Sequence, residues 1–229
     1  MMSRKLSPWL VRSSVLAIGI SIIAFGATAP VSSQSFMGNA EVAAGEAYIS
    51  STGNSTYIQL NSAQSVIDWT IDNDDPSIFQ RANTTATFDS YLSDYAVLNR
   101  VYAGGRAVEI NGTIRSYANS NIGGSIYFYS PGGIIIGSNA LIDVGALGLS
   151  TAEPVVNNGS FITINGASRS VLYNPSAQGR EVEIRSGAEI YASNDRSSYM
   201  AIMAPVIRQQ GIIDVNGSTA LVAAAAGTL

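Results

Sequence analysis

A short unit recurs along this chain, and its first copy reads Val108-Glu109-Ile110-Asn111-Gly112. Two β-branched residues fall on one face, a polar residue falls on the other, and an Asn-Gly pair follows. This alternation is typical of a half-buried β-strand, and Asn-Gly supplies the positive φ that a tight turn needs. Each copy therefore predicts a short strand that ends in a sharp bend.

Four further copies follow at intervals of 20 to 34 residues. They are Ile142-Asp143-Val144-Gly145, Ile162-Thr163-Ile164-Asn165-Gly166, Val182-Glu183-Ile184-Arg185-Ser186-Gly187 and Ile213-Asp214-Val215-Asn216-Gly217. Recurrence at this period indicates a solenoid, whose coils stack because no coil buries its inner face alone. The sequence thus predicts an all-β fold, a right-handed parallel β-helix, with Ile164 among the inward-facing residues. The alternative is an antiparallel sandwich whose strands are joined by Asn-Gly hairpins.

Two aromatic and aliphatic runs are expected to form strands on other faces of the same coils. These are Ser125–Tyr129 and Ile134–Ile136. Alternation along the first run points Phe128 inward, and it points Tyr127 and Tyr129 outward beneath a loop.

The stretch before the repeats has a different character. Residues 36–60 are strand-like and interrupted by glycine, which predicts an N-terminal β cap that covers the open edge of the first coil. The acid-rich residues 68–94 predict a longer loop. Residues 90–99 are the best helical candidate, although they are few.

Residues 1–33 are predicted to be a secretory signal peptide. Arg4, Lys5 and Arg12 precede an uncharged apolar run over residues 15–29, and small residues follow this run. The run is shorter than the roughly 20 apolar residues that a membrane-spanning helix needs. We therefore expect cleavage between residues 29 and 35, which leaves residues 34–229 as the mature domain without a stable membrane span.

The mature chain would contain nine arginines and 16 acidic residues, a net charge of −7, with no Lys, His or Cys. This composition excludes a cysteine nucleophile, a Ser-His pair, a zinc site of His or Cys type and a catalytic or phosphate-binding lysine. An acidic surface without lysine also argues against a nucleic-acid partner. Only carboxylate, hydroxyl and arginine chemistry remain.

Four segments occur in a characteristic order. They are Val97-Leu98-Asn99-Arg100-Val101, Asn111-Gly112-Thr113-Ile114, Ile126-Tyr127-Phe128-Tyr129-Ser130-Pro131-Gly132-Gly133-Ile134-Ile135-Ile136-Gly137 and Ala140-Leu141-Ile142-Asp143-Val144-Gly145-Ala146-Leu147. Behind a signal peptide and among β-helix repeats, this set resembles the amino-terminal secretion domain of filamentous-haemagglutinin-like proteins, the exported partners in two-partner secretion. The resemblance covers residues 34–229. The chain has Ser-Pro-Gly-Gly where that family usually has Asn-Pro-Asn-Gly, and Ser and Gly can still make the turn.

The resemblance implies a route and a partner. The chain would cross the inner membrane, stay largely unfolded in the periplasm, and be recognised there by an outer-membrane β-barrel transporter with periplasmic domains. It would then fold outside a Gram-negative-type bacterium, as a secreted or cell-surface module that directs export and nucleates β-helix folding. An adhesin-like role toward host or neighbouring-cell ligands is also implied.

The same resemblance supplies candidate residues for recognition by the transporter. They are Asn99, Arg100, Ser130, Pro131, Gly132, Gly133 and Gly137. A purely structural role is the alternative: Asn99 would bond a turn, Arg100 would pair with a surface acid, and residues 130–133 would be a plain corner of a coil.

Two other functions stay open, a carbohydrate-active β-helix enzyme and a structural matrix subunit. An enzyme would use the outward acids Asp143, Glu183 and Asp214, which are expected to stack along one face. Such a ladder is more often a device for solubility. The acidic run Asp72-Asn73-Asp74-Asp75 is followed by Ser77 and Asn83 where a calcium-binding loop has Gly and Glu. We therefore predict no enzymatic activity, no cofactor and no bound metal.

Overall fold

A computed structural model describes residues 34–71, 75, 77–165, 168–176, 180–194 and 198–229. Within these ranges the chain is all β and contains no helix, which confirms the predicted fold class. The strands are β1 (Asn39–Ala44), β2 (Ala47–Thr52), β3 (Ser55–Leu60), β4 (Gln64–Thr70), β5 (Ile78–Gln80), β6 (Thr85–Ser90), β7 (Ala96–Tyr102), β8 (Val108–Ile110), β9 (Thr113–Ala118), β10 (Asn121–Ile122), β11 (Ser125–Tyr129), β12 (Ile134–Ile136), β13 (Leu141–Val144), β14 (Ala146–Ser150), β15 (Thr163–Asn165), β16 (Ser168–Ser170), β17 (Leu172–Tyr173), β18 (Glu181–Ile184), β19 (Glu189–Ala192), β20 (Ser198–Ala204), β21 (Val206–Gln209), β22 (Ile212–Val215), β23 (Gly217–Ala223) and β24 (Gly227–Thr228).

Most of these strands belong to three sheets. The seven-stranded sheet has the order β1-β4-β7-β11-β14-β20-β23, and the five-stranded sheet has the order β21-β18-β12-β8-β5. The eight-stranded sheet has the order β2-β3-β6-β9-β13-β19-β22, with β10 paired to β9. From β3, β4 and β5 onward, the neighbours along each of these orders run parallel, as the repeated unit predicts.

The chain visits the seven-, five- and eight-stranded sheets in a fixed order. The strands β11, β12 and β13 form one such circuit, and β20, β21 and β22 form another. Each circuit places its strands beside those of the circuit before it, so that every sheet grows by one strand per circuit. Four of the five predicted units lie in this arrangement, as β8, β13, β18 and β22.

One apolar cluster fills the interior between the seven-, five- and eight-stranded sheets, and each of these three sheets contributes to it. Phe128 of β11, Ile136 of β12 and Ile142 of β13 are each no more than 1% exposed. Full burial of one such side chain contributes roughly 1.5–3 kcal/mol, so the stacked rows supply most of the driving force for folding. The inward direction predicted for Phe128 is confirmed.

The first strands of the domain are antiparallel. β1 pairs with β4 and β2 pairs with β3, which confirms the strand character predicted for residues 36–60. Phe36, just before β1, stacks on Phe79 with ring centroids 4.5 Å apart and meets Trp69 edge-on at 5.3 Å. Phe36, which precedes the parallel strands in the sequence, thus completes the aromatic part of the core.

Residues 151–180, here called the excursion, leave the circuit between β14 and β18. Within the excursion β15 pairs antiparallel with β16, whereas β17 pairs antiparallel with β24, which lies outside the excursion near the end of the chain. Side chains such as Phe161 and Tyr173 pack on the outer face of the seven-stranded sheet, against Leu98, Tyr127 and Tyr129, in a second apolar cluster. The outward direction and the loop cover predicted for Tyr127 and Tyr129 are therefore confirmed.

The third predicted unit is not a strand of the circuit, and that prediction is wrong. Its residues form β15 of the antiparallel pair in the excursion, and the Ile164 side chain is 54% exposed. The local alternation is real, but β15 finds its partner in β16 rather than in a neighbouring coil. Alternation alone cannot distinguish these two partners.

Two further sequence predictions need correction. The expected loop over residues 68–94 contains the end of β4 and the strands β5 and β6. The helical candidate, residues 90–99, consists of a bend followed by the start of β7. Tertiary pairing with parallel neighbours overrides the weak local preference of both segments. In the described ranges, no helix has the length and apolar character that crossing a membrane would require.

Candidate functional site

The structure brings most of the predicted recognition residues together on neighbouring strands. Asn99 and Arg100 on β7 lie opposite Phe128 and Tyr129 on β11, and the 130–133 corner follows β11 directly. Gly137 lies one corner further along, after β12. Asn99, Arg100 and the 130–133 corner therefore form a contiguous site where β7 and β11 end.

Asn99 is fully buried and points into the interior of the sheets. Its Oδ1 accepts a hydrogen bond from Trp69 Nε1 at 3.1 Å, and its Nδ2 donates to the Tyr127 carbonyl at 3.2 Å. The amide thus joins three successive strands of the seven-stranded sheet, β4, β7 and β11. The predicted bond to a turn is not what Asn99 makes, because its partners are an indole ring and the backbone of a strand.

Arg100 points to the opposite side of β7 and is largely covered. It donates through Nε and Nη2 to the two carboxylate oxygens of Asp68, at 2.6 and 2.7 Å, and through Nη1 to Glu153 at 3.3 Å. Burial lowers the pKa of Arg100, but the bond to Asp68 and the nearby charges outweigh it and raise the pKa overall. The alternative prediction that Arg100 pairs with an acid is confirmed.

The 130–133 corner is a tight turn that joins β11 to β12. The Gly133 N–H donates to the Ser130 carbonyl at 3.2 Å, and the Gly133 carbonyl accepts from Val108 N at 3.0 Å. Ser130 is buried, and its Oγ has no hydrogen-bond partner among the described residues. A buried hydroxyl without a partner costs free energy in the folded state, and no described group offsets that cost at Ser130.

The glycines of this region are required by close packing. A Cβ on Gly132 would overlap the backbone of Arg106 in the preceding corner, and Gly133 has a φ of +117°. A Cβ on Gly137 would overlap the side chain of Asn111, whose Oδ1 accepts from Asn139 N at 2.9 Å. The glycines thus let successive corners stack, which is the structural role that the sequence left as the alternative.

Several partners of this site were not identified from the sequence. Asp68 and Glu153 neutralise Arg100, and Trp69 fixes Asn99. Asp68 lies opposite Arg100 because β4 pairs with β7. The spacing of the two residues along the sequence does not predict that pairing. Glu153 lies in the excursion and reaches Arg100 only through the tertiary fold.

Two of the three acids considered for an enzyme share a face, and the expectation that all three stack along one face is wrong. Asp143 and Asp214 both lie on the eight-stranded sheet, but Tyr191 stands between them in the register. Glu183 lies on the five-stranded sheet, opposite Arg208. Across the described residues, no three carboxylates gather closely enough to hold a metal ion.

The acidic run considered for calcium lies mostly outside the described residues. Its last member, Asp75, accepts hydrogen bonds from Ser77 N at 3.2 Å and Ser77 Oγ at 2.5 Å. These bonds lower the pKa of Asp75, with the side-chain bond from Ser77 as the main cause. A carboxylate that caps its own turn in this way is typical of a solvated turn.

Comparison with known proteins gives two matches of different kinds. Residues 38–228 match the family described as TPS secretion domain. The fold is similar to the crystal structure of the HMW1 secretion domain from Haemophilus influenzae, with 19% sequence identity and a TM-score of 0.51. That alignment covers 82% of this chain and 50% of the other, so the chain spans about half the length of the solved domain. No curated protein matches the sequence.

Proposed function

The chain belongs to the TPS secretion domain family, and on that premise we propose that it directs its own export and then nucleates folding outside the cell. Membership in the family implies two-partner secretion, in which a partner transporter in the outer membrane passes the chain to the cell surface or the extracellular space. The family is a secretion module rather than a family of enzymes. The residues that the transporter reads, and what the exported chain does outside, are our proposal.

The three sheets are proposed to wind as a right-handed parallel β-helix with β1, β2 and β3 as its cap. Two observations support a cap. These strands supply the antiparallel pairs at the start of two sheets, and Phe36 closes the aromatic core from that side. An exposed sheet edge invites pairing with other chains, which a cap prevents. Folding from this end would bias an emerging chain against sliding back.

Residues 1–33 are proposed to act as the signal peptide, with cleavage between residues 29 and 35. The intact mass of the species in the culture medium tests this directly. A mass that begins within those limits, seen only when the partner transporter is present, supports the route. A species that keeps its first residues, or that stays in the periplasm with the transporter present, contradicts it.

The recognition site is proposed to be the 130–133 corner together with Asn99 and Arg100. One observation carries this proposal: the Ser130 hydroxyl is buried and has no hydrogen-bond partner among the described residues of the folded state. A serine that the folded state does not need is explained if its hydroxyl is bonded at another stage, when the unfolded chain lies on the transporter. Asn99 and the glycines contribute to the fold as well, so the effect of their substitution on secretion has to be compared with its effect on stability.

The test is the Ser130→Ala variant, expressed with the partner transporter. Removal of an unsatisfied hydroxyl should leave the stability of the refolded protein unchanged or slightly raised. We expect the amount of secreted protein to fall severalfold, while the urea midpoint of the refolded protein stays at the wild-type value. Ser138→Ala, at an exposed serine of the next corner, is the matched control and should be secreted normally.

The comparison with destabilising variants completes the test. Gly133→Val and Asn99→Ala should lower secretion beyond what their stability predicts. Normal secretion of Ser130→Ala, together with losses in the other two variants that simply follow their stability, would show that these residues act through the fold alone.

A further inference from the structure

The outer face of the eight-stranded sheet carries a row of polar and aromatic side chains in register. Along successive strands the row reads Tyr57, Thr87, Arg115, Asp143, Tyr191 and Asp214. Residues that pair across parallel or antiparallel strands point to the same side of a sheet. The row, here called the tyrosine ladder, therefore crosses the strands from β3 to β22 on one surface.

The ladder is accessible to solvent. Tyr57 is 37% exposed, Arg115 and Asp214 are exposed, and Asp143 and Tyr191 are partly exposed. Near its end lies a shallow groove of about 490 Å³ that is lined by Asp143, Tyr191 and Asp214. Ile122 of β10 forms part of the lining, because β10 folds back antiparallel on β9.

A second row beside the ladder also combines tyrosines with polar side chains. Tyr48, Gln59, Asp89 and Tyr117 lie opposite one another on β2, β3, β6 and β9, and Tyr48 is 62% exposed. The two rows are joined by a hydrogen bond of 2.6 Å that the Tyr57 hydroxyl donates to Asp89. Aromatic rings thus lie among amide and carboxylate groups on this face of the sheet.

We propose that this face binds an extended neutral polysaccharide, whose chain lies along the tyrosine ladder and across the strands. A sugar ring presents C–H groups on its faces and hydroxyls at its edge. Tyrosine rings stack on such faces, while carboxylates and amides accept and donate hydrogen bonds at the edge. Strands lie about 4.8 Å apart, close to the length of one sugar unit in an extended chain. Successive strands can therefore meet successive sugars.

The charges of the ladder favour a neutral ligand over an acidic one. Asp143 and Asp214 outnumber Arg115 along the ladder, and Asp89 lies beside it, so an acidic polysaccharide or a nucleic acid would be repelled. A stable protein interface is expected to have a desolvated apolar centre. Here the hydroxyl and charged side chains of Thr87, Arg115 and Asp143 separate the two tyrosines of the ladder.

The inference rests on the proposed function, export to the outside of the cell, and gives a ligand class to the adhesin-like role that the resemblance implies. Its test does not depend on export, because it is carried out on the full chain refolded from denaturant. Cellohexaose, chitohexaose and mannohexaose are titrated by calorimetry, with polygalacturonate as the acidic comparison. We expect at least one neutral oligosaccharide to bind and the acidic one not to bind.

Three variants locate the site. Tyr57→Ala and Tyr191→Ala should each weaken binding roughly tenfold, whereas Tyr191→Phe keeps the ring and should bind nearly as well as the wild type. Leu172→Ala removes an exposed side chain of the excursion and is the control. Melting curves of all four proteins establish that the fold is retained, and their export with the transporter is measured separately and should be normal.

Several results would overturn the inference. These are the absence of binding to every neutral oligosaccharide, equal affinity in wild type and both alanine variants, or preference for polygalacturonate. Self-association that Tyr57→Ala and Tyr191→Ala abolish would instead assign the face to a protein contact. A failure of export with intact sugar binding would refute the proposed secretion route and leave this inference standing.

Discussion

At the scale of single residues, buried polar groups show where this domain holds its strands in place. Asn99 joins the indole of Trp69 to the backbone of β11, and Arg100 joins β4 to the excursion through Asp68 and Glu153. The two side chains leave opposite faces of β7, one toward the core and the other toward the second cluster. Adjacent residues of one strand therefore fix both layers that flank the seven-stranded sheet.

Asn99→Ala should destabilise the refolded domain by roughly 1–3 kcal/mol, because it leaves a buried indole N–H and a buried carbonyl without partners. Trp69 is the one tryptophan outside the predicted signal peptide, so its fluorescence reports unfolding in urea. Asn139→Ala, at an exposed corner, is the control and should change the urea midpoint little. Equal midpoints for the two variants would refute a role of Asn99 in fixing the strands.

Raised tyrosine pKa values predict that the domain unfolds in alkali. The bond to Asp89 is the main cause that raises the pKa of Tyr57 to about 12, and burial is the main cause that raises the pKa of Tyr129 to about 12. Burial also raises the pKa of Tyr127. Since an unfolded tyrosine ionises near pH 10, these groups favour the folded state below that pH, and their contribution disappears as the pH rises toward 12.

Titration followed by tyrosinate absorbance, with Trp69 fluorescence in parallel, checks this prediction. We expect a fraction of the 11 tyrosines to ionise only when the fluorescence reports unfolding. Tyr57→Phe should lower the stability at neutral pH, because it removes the bond to Asp89, and should make the stability fall less steeply as the pH rises from 10 toward 12. Smooth ionisation of every tyrosine near pH 10 without unfolding would contradict the burial that we describe.

At the scale of elements, the same alternating unit has two different fates. In β18 the residues Val182 and Ile184 are fully buried between parallel neighbours, whereas in β15 the side chain of Ile164 is 54% exposed in an antiparallel pair. What differs is the partner strand, since each unit has the same local pattern. The distinction therefore belongs to the element and its neighbours rather than to the residue.

Substitution of one isoleucine in each unit measures this difference. Ile184→Asp buries an unpaired charge and should destabilise the domain by more than about 3 kcal/mol. Ile164→Asp changes an exposed side chain and should stay within about 0.5 kcal/mol of the wild type. Thermal melts of the two variants provide the measurement, and similar melting temperatures would show that our assignment of the inward faces is incorrect.

At the scale of the whole molecule, the domain has two apolar clusters on either side of one sheet. The main cluster lies between the three sheets, and the second is covered by the excursion, residues 151–180, and by the end of the chain near β24. The excursion connects β14 of the seven-stranded sheet to β18 of the five-stranded sheet. The equivalent connection between β11 and β12 has only four residues. Its length is therefore explained by what it covers rather than by the connection.

Replacement of the excursion by a Ser-Pro-Gly-Gly corner should leave a folded domain. We expect the melting temperature to fall while the transition stays cooperative and Trp69 stays buried, because none of the described excursion residues belongs to the main cluster. The uncovered residues Leu98, Tyr127 and Tyr129 should then bind a hydrophobic dye, as newly exposed apolar surface does. Complete loss of cooperative unfolding would show that the two clusters form one folding unit.

The sequence by itself determined the all-β class, the parallel strands at four of the five units, and the inward and outward directions along β11. These follow from local alternation and from glycine at turns, which act over a few residues and are visible in the letters. Only the tertiary structure decided that β15 leaves the circuit, that Asp68 and Glu153 are the partners of Arg100, and that Tyr191 separates Asp143 from Asp214. Each depends on which strand lies beside which, and pairing between distant segments is set by the packing of the whole core.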